Sequence, residues 1–146
     1  PFALPALAEA EAGQRAIFAA RQALRTGEAA RTAEAVAQID AQIAGARGQI
    51  AAITTQRDLM QGDLENLRQL AADGLVRQSQ ITEAERGLAA LAGEAARLEA
   101  EAARLITARR DAELAGTQAR ATALEEIVTE LRTATDEVEE LTLDIV

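Results

Sequence analysis

The sequence of 146 residues contains no cysteine, histidine, tryptophan or tyrosine, and its only aromatic residues are Phe2 and Phe18. Without histidine and cysteine, the side chains that most often serve as general base, nucleophile or zinc ligand are missing. We therefore expect no enzyme activity, no cofactor and no metal site. The absence of cysteine is compatible with an oxidising and with a reducing compartment, and the scarcity of aromatics argues against an ordinary globular core.

Lysine is also absent, so arginine supplies all 15 basic residues, against 24 acidic ones, and the formal net charge is −9. Such a chain starts at an electrostatic disadvantage on nucleic acid or on an anionic membrane, and we expect contact with neither. No apolar run approaches the roughly 20 residues that cross a bilayer. The chain starts without methionine and its pattern continues to the end, so we expect a piece of a longer protein.

What the sequence does contain is alanine, leucine, glutamate and arginine in a heptad pattern, which is typical of coiled coils. Apolar and small residues recur at alternating steps of three and four, which predicts helices that wind around each other. An amphipathic helix on a globular bundle is the alternative, but it would need a broader apolar face. We call these positions the seam. In the first run the seam is Val36, Ile39, Ile43, Ala46, Ile50, Ile53, Met60, Leu64, Leu67 and Ala71, with Arg57 inserted; in the second it is Ile81, Ala84, Leu88, Leu91, Ala95, Leu98, Ala102, Leu105, Ala112, Gly116 and Ala119, with Arg109 inserted.

A short turn separates the two runs, in the segment Ala-Ala-Asp-Gly-Leu-Val at 71–76. Short connections favour antiparallel neighbours, so the sequence predicts an all-α fold, a long antiparallel coiled-coil hairpin. Each arm would be about 100 Å long, and the numbers of facing residues would add to about 151. Asp73-Gly74 is a turn dipeptide, and we expect Ser79 to be the N-cap of the returning helix, with Glu83 in its first turn.

The heptad spacing slips once in each arm. Leu24 is followed by Ala29 and Ala119 by Leu124, so both steps are one residue longer than expected. The slips would face each other, and we predict that the first arm is divided near Gly27, which would take the left-handed conformation of a helix end. The predicted elements are helices over about 5–25, 28–72 and 80–145, with the tip at 73–79. One unbroken helix that absorbs the extra residue is the alternative.

The tip carries Leu75 and Val76, two apolar residues where a hairpin has no core to bury them. Arg68, Leu75 and Ser79 follow one another around the turn in an order similar to the Arg-Leu-Ser (or Thr) tip motif of periplasmic membrane fusion proteins, the adaptors of tripartite bacterial exporters. Other segments resemble the haemolysin-D-like (HlyD) adaptors of type I secretion. These segments are QRAIFAAR at 14–21, GLV at 74–76, ER at 85–86, LAGE at 91–94 and ELR at 130–132.

The resemblance implies a mechanical role and partners. The chain would be the helical domain of an adaptor in the periplasm whose parent protein is anchored in the inner membrane. About six adaptors would bridge an ABC transporter and a TolC-like outer-membrane channel, which the hairpin tips would contact. The resemblance assigns Arg68 as a donor to the channel, Leu75 as an apolar knob and Ser79 as a hydroxyl contact. The lipoyl-like and β-barrel domains of the family are not in this segment.

Two other interpretations stay open on the residues alone. A plain coiled-coil spacer of another family needs no chemistry at its tip, so Arg68 would then be a solvated side chain beside Glu65. A helix on a lipid surface would need a basic fringe and bulky apolar residues on one face. The carboxylates support none of the enzymatic roles, because they lie along helix faces where an arginine three residues later can pair with them, as at Glu83 and Glu101.

Overall fold

A computed structural model of the chain describes residues 3–143, with side-chain burial given for residues 8–140. It contains two helices, α1 at Ala3–Ala72 and α2 at Gln78–Leu143, which pack as a hairpin without a strand in the described part. The predicted all-α hairpin is confirmed. The predicted end of the second helix near residue 145 lies outside the described residues.

The predicted break near Gly27 is wrong, because α1 is helical from Ala3 to Ala72. Gly74 alone among the described residues has a positive φ. A break would give up several backbone hydrogen bonds at two new helix ends, whereas a glycine inside a helix costs only about 1 kcal/mol. The Thr26 hydroxyl also donates to the Gln22 carbonyl at 2.9 Å, as in a continuous helix. The predicted helix end near residue 25 and helix start near residue 28 are therefore absent from the structure.

Residues 37–110 form one compact unit around the turn. All the side chains that the structure shows as buried lie in this unit, and each occupies a seam position, so the seam prediction is confirmed here. The buried residues are Ile43, Ala46, Ile53, Leu64, Ile81, Ala95, Leu98, Ala102 and Leu105. The densest cluster joins Ile53 on α1 to Ala95 and Leu98 on α2, with Ile50 and Leu91 against it.

Polar and small residues fix how the two helices of this unit face each other. The seam residue Arg109 donates from Nε to Oδ1 of Asp40 at 2.6 Å. Met60 fills the space beside Gly87, where an added Cβ would lie 2.8 Å from its sulfur. These pairs agree with the facing positions predicted from the sequence. The second seam arginine, Arg57, is exposed.

In the described part of the chain, residues 3–36 and 111–143 form the second unit. None of its described side chains is buried. Three of its leucines, Leu24, Leu124 and Leu131, are 62–67% exposed. Where the heptad slips, small residues on both helices leave a groove of about 480 Å³ that includes Ala29 and Gly116 in its lining. The slip is thus accommodated as a gap between helices and leaves α1 unbroken.

Candidate functional site

The end of α1 is closed by a set of backbone hydrogen bonds at the turn. Gly74 has φ +73°, and its N–H donates to the Ala71 carbonyl at 3.0 Å while the Leu75 N–H donates to the Leu70 carbonyl at 2.9 Å. This pair of bonds is the Schellman motif, in which a glycine takes the left-handed conformation just past the helix. The prediction of a turn at Asp73-Gly74 is confirmed, and the motif gives Leu75 a fixed backbone position.

The start of α2 differs from the prediction at Ser79. The helix begins at Gln78, which makes Arg77 the N-cap and places Ser79 at the second helical position. The Gln80 side chain accepts from the Arg77 N–H at 3.1 Å, and the Gln80 N–H donates to the Arg77 carbonyl at 3.0 Å. Glutamine three residues after the cap supplies this reciprocal bond in a capping box. Ser79 is therefore not the cap, and no acidic residue lies in the first turn, so the expected position of Glu83 is also wrong.

The apolar residues at the turn differ in exposure. Leu75 is 71% exposed, more than any other large hydrophobic residue between positions 8 and 140. Val76 is half-buried. Fully burying a leucine is worth about 1.5–3 kcal/mol, and the hairpin obtains only a small part of this from Leu75. Most of this side chain therefore stays in contact with water.

Arg68 is held across the hairpin and does not pair with Glu65. Its Nη2 donates to Oε1 of Glu85 on α2 at 2.9 Å, and both side chains are 48% exposed. The residue numbers of Arg68 and Glu85 add to a value close to the sum of about 151 that was predicted for facing residues. Ser79 is exposed, and its hydroxyl has no hydrogen bond among the described residues. Arg68 and Ser79 thus lie on the two helices that flank the turn.

The whole described chain matches one family, whose description is AprE, long alpha-helical hairpin, over residues 3–146. The chain belongs to this family. Its members are the helical hairpins of type I secretion adaptors, which are periplasmic. No significant similarity to a curated protein or to a solved structure was found.

Ion pairs in this AprE-type hairpin lie on its surface. Arg97 and Arg104 donate to the glutamates three residues before them at 2.6 Å, and these hydrogen bonds lower the pKa values of Glu94 and Glu101. The pairing expected at Glu101 is confirmed. The corresponding pair at Glu83 does not form, which leaves Arg86 solvated within the described part of the chain.

Neither a metal-ligand cluster nor a membrane-spanning segment is present in the described part of the AprE-type hairpin. No three acidic side chains there converge on a position that could hold a metal ion. Over the described residues, neither helix has a segment that is apolar enough to cross a bilayer. The turn that carries the exposed Leu75 is the candidate site.

Proposed function

We propose that this hairpin is the docking arm of an HlyD-like adaptor in a tripartite type I secretion exporter. The adaptor bridges an inner-membrane ABC transporter and a TolC-like outer-membrane channel, and the hairpin tip contacts the channel. The observation that carries the proposal is the exposed Leu75 on a hydrogen-bonded turn, in a chain of the AprE hairpin family. Membership of the family supports the periplasmic role.

Each of the three tip residues has a distinct part in the proposed contact. Leu75 inserts as an apolar knob into a pocket on the channel. The hydroxyl of Ser79 both donates and accepts, and it has no partner among the described residues that it would have to leave. Arg68 is neutralised by Glu85, so its role is to hold the two helices in register beside the turn and to offer its remaining N–H donors.

Other parts of the adaptor complete the proposed assembly. Contact with the transporter and the anchor in the inner membrane belong to domains outside this hairpin. A hexamer of adaptors places six tips in one ring, and such repetition raises the strength of a contact that is weak for one tip.

The test compares two leucines of similar exposure in the intact adaptor. Leu75 at the tip and Leu59 on the side of α1 are 71% and 68% exposed. Leu75→Ala should sharply reduce secretion of the exported protein, whereas Leu59→Ala should leave it unchanged. Both variants should keep their free energies of unfolding within about 0.5 kcal/mol of the parent, since exposed substitutions rarely cost more.

Substitutions of the other two residues complete this test. Arg68→Ala and Ser79→Ala should lower secretion as well, and Ser79→Ala should not destabilise the helix, because the serine is not its cap. If the three tip variants all secrete normally, the hairpin is a plain coiled-coil spacer.

A further inference from the structure

We propose that Arg77 is a further docking residue, which binds a carboxylate on the protein surface that receives Leu75. This inference rests on the proposed docking function. Arg77 is two residues from Leu75, in the same turn, and it is exposed. Its guanidinium has no hydrogen bond or ion pair within residues 3–143, whereas the Arg68 guanidinium is already paired with Glu85. Arg77 is therefore the unpaired cation that is closest to the exposed leucine in sequence.

Arg77 is an unfavourable N-cap residue for α2. Serine, threonine, aspartate and asparagine are the preferred N-caps, because their side chains accept hydrogen bonds from the first turn, and arginine has no acceptor. A cation at a helix N-terminus also lies at the positive end of the helix dipole. The first turn of α2 has no acidic residue to offset it. A residue that breaks a local rule of folding in this way is expected where function requires it.

The turn presents Arg77 and Leu75 at a fixed spacing. The backbone of Arg77 is held by two hydrogen bonds with Gln80, and that of Leu75 by the Leu70 carbonyl. A partner therefore meets a prearranged pair, an apolar side chain and a cation, and loses less free energy in ordering the turn.

The chemistry of this pair favours a protein partner with a carboxylate. A guanidinium can donate two parallel N–H bonds to one carboxylate, which gives a strong and directional contact. Anionic lipid is the other source of negative charge, but clusters of several basic residues are needed to hold a protein on it. Here Asp73 lies in the same turn, and the chain carries a net charge of −9. The geometry therefore points to an apolar socket with an aspartate or glutamate at its edge.

The test measures two quantities on the full chain and its variants, binding to the purified outer-membrane channel of the same exporter and thermal stability. Arg77→Ser should weaken binding at least about tenfold, as the loss of a charge-assisted hydrogen bond does. It should also leave the melting temperature unchanged or raise it, because serine is a better N-cap. Added salt should weaken binding of the parent chain more than binding of the variant.

Arg86→Ser is the matched control, because Arg86 is likewise an exposed arginine without a partner in the described residues, but it lies within α2 and away from the turn. It should bind as the parent chain does. Arg77→Lys should lose part of the affinity, since the charge remains and the planar fork is gone.

Four results would overturn the inference. If Leu75→Ala abolishes binding and Arg77→Ser does not, the docking function stands and Arg77 has no part in it. If neither variant affects binding, the proposed function fails as well. A fall in melting temperature that accompanies the loss of binding in Arg77→Ser would make the role structural. If the parent chain binds vesicles of phosphatidylglycerol and phosphatidylethanolamine and Arg77→Ser does not, a membrane is the partner.

Discussion

Gly27→Ala should stabilise the hairpin, although the sequence pattern marks this glycine as a helix end. In the structure Gly27 lies inside α1, and a Cβ added there would meet nothing within 4 Å. The methyl group therefore causes no clash, and the change removes the conformational cost of glycine in a helix. The expected gain in the free energy of unfolding is about 1 kcal/mol.

Two other glycines serve as controls for this substitution. At Gly116 an added Cβ would lie 2.7 Å from Cγ2 of Thr32, and the hydroxyl of Thr32 is bonded to the Glu28 carbonyl at 3.1 Å. The threonine or the helix that carries it must shift to admit the methyl group, so Gly116→Ala should gain less than Gly27→Ala or destabilise. Gly74→Ala should destabilise by about 1–2 kcal/mol, because φ there is +73°.

Urea unfolding followed by far-UV circular dichroism would rank the three variants, and hydrogen exchange would report the amides around Gly27 directly. Exchange at these amides should slow in Gly27→Ala. If the substitution destabilises the chain and speeds exchange there, Gly27 adopts a left-handed conformation and the helix is divided after all.

Two further predictions concern packing and register. Leu98 is 4% exposed in the densest cluster, whereas Leu131 is 67% exposed. Leu98→Ala should therefore lower the free energy of unfolding by about 2–5 kcal/mol, and Leu131→Ala by less than about 1 kcal/mol. Equal losses for the two variants in urea unfolding would contradict the difference in burial. Asp40 and Arg109 are 49% and 36% exposed, so a double-mutant cycle with alanine at each should give a coupling free energy below about 1 kcal/mol. A value of several kcal/mol would mean that the pair is shielded from water.

The seam and the turn can be predicted from the sequence because both are local patterns. Heptad spacing alone identifies Ile53 and Leu98, and turn chemistry identifies Asp73-Gly74. The two glycines at positions 27 and 74 each come after a polar residue, yet only the second takes the left-handed conformation. The difference lies in the residues on the C-terminal side of each glycine. After Gly74 the next seam residue is Ile81, seven residues on, whereas after Gly27 it is Ala29, two residues on, and the backbone there keeps its helical hydrogen bonds.

Two features of the candidate site could not be predicted from residue preferences. Ser79 is a favoured N-cap by type, but the Gln80 side chain supplies the bond at the helix start, and the helix begins two residues earlier than expected. Arg68 has an acidic neighbour on its own helix, yet it pairs with Glu85 on the other. Which of several possible partners a side chain bonds depends on the distances between them in the folded chain, and residue type alone does not give these distances.

The concentration of buried side chains near the turn has a consequence for the order of folding. Closing a loop between two contacting residues costs entropy that rises with the number of residues between them. Leu64 and Ile81, both buried, lie close to the turn in sequence, whereas the contact of Arg21 with Glu130 closes a far longer loop. The buried side chains thus lie in the unit whose contacts have the smaller entropic cost. The chain can close first at its turn and then add contacts along both arms, so that each new contact closes only a short additional loop.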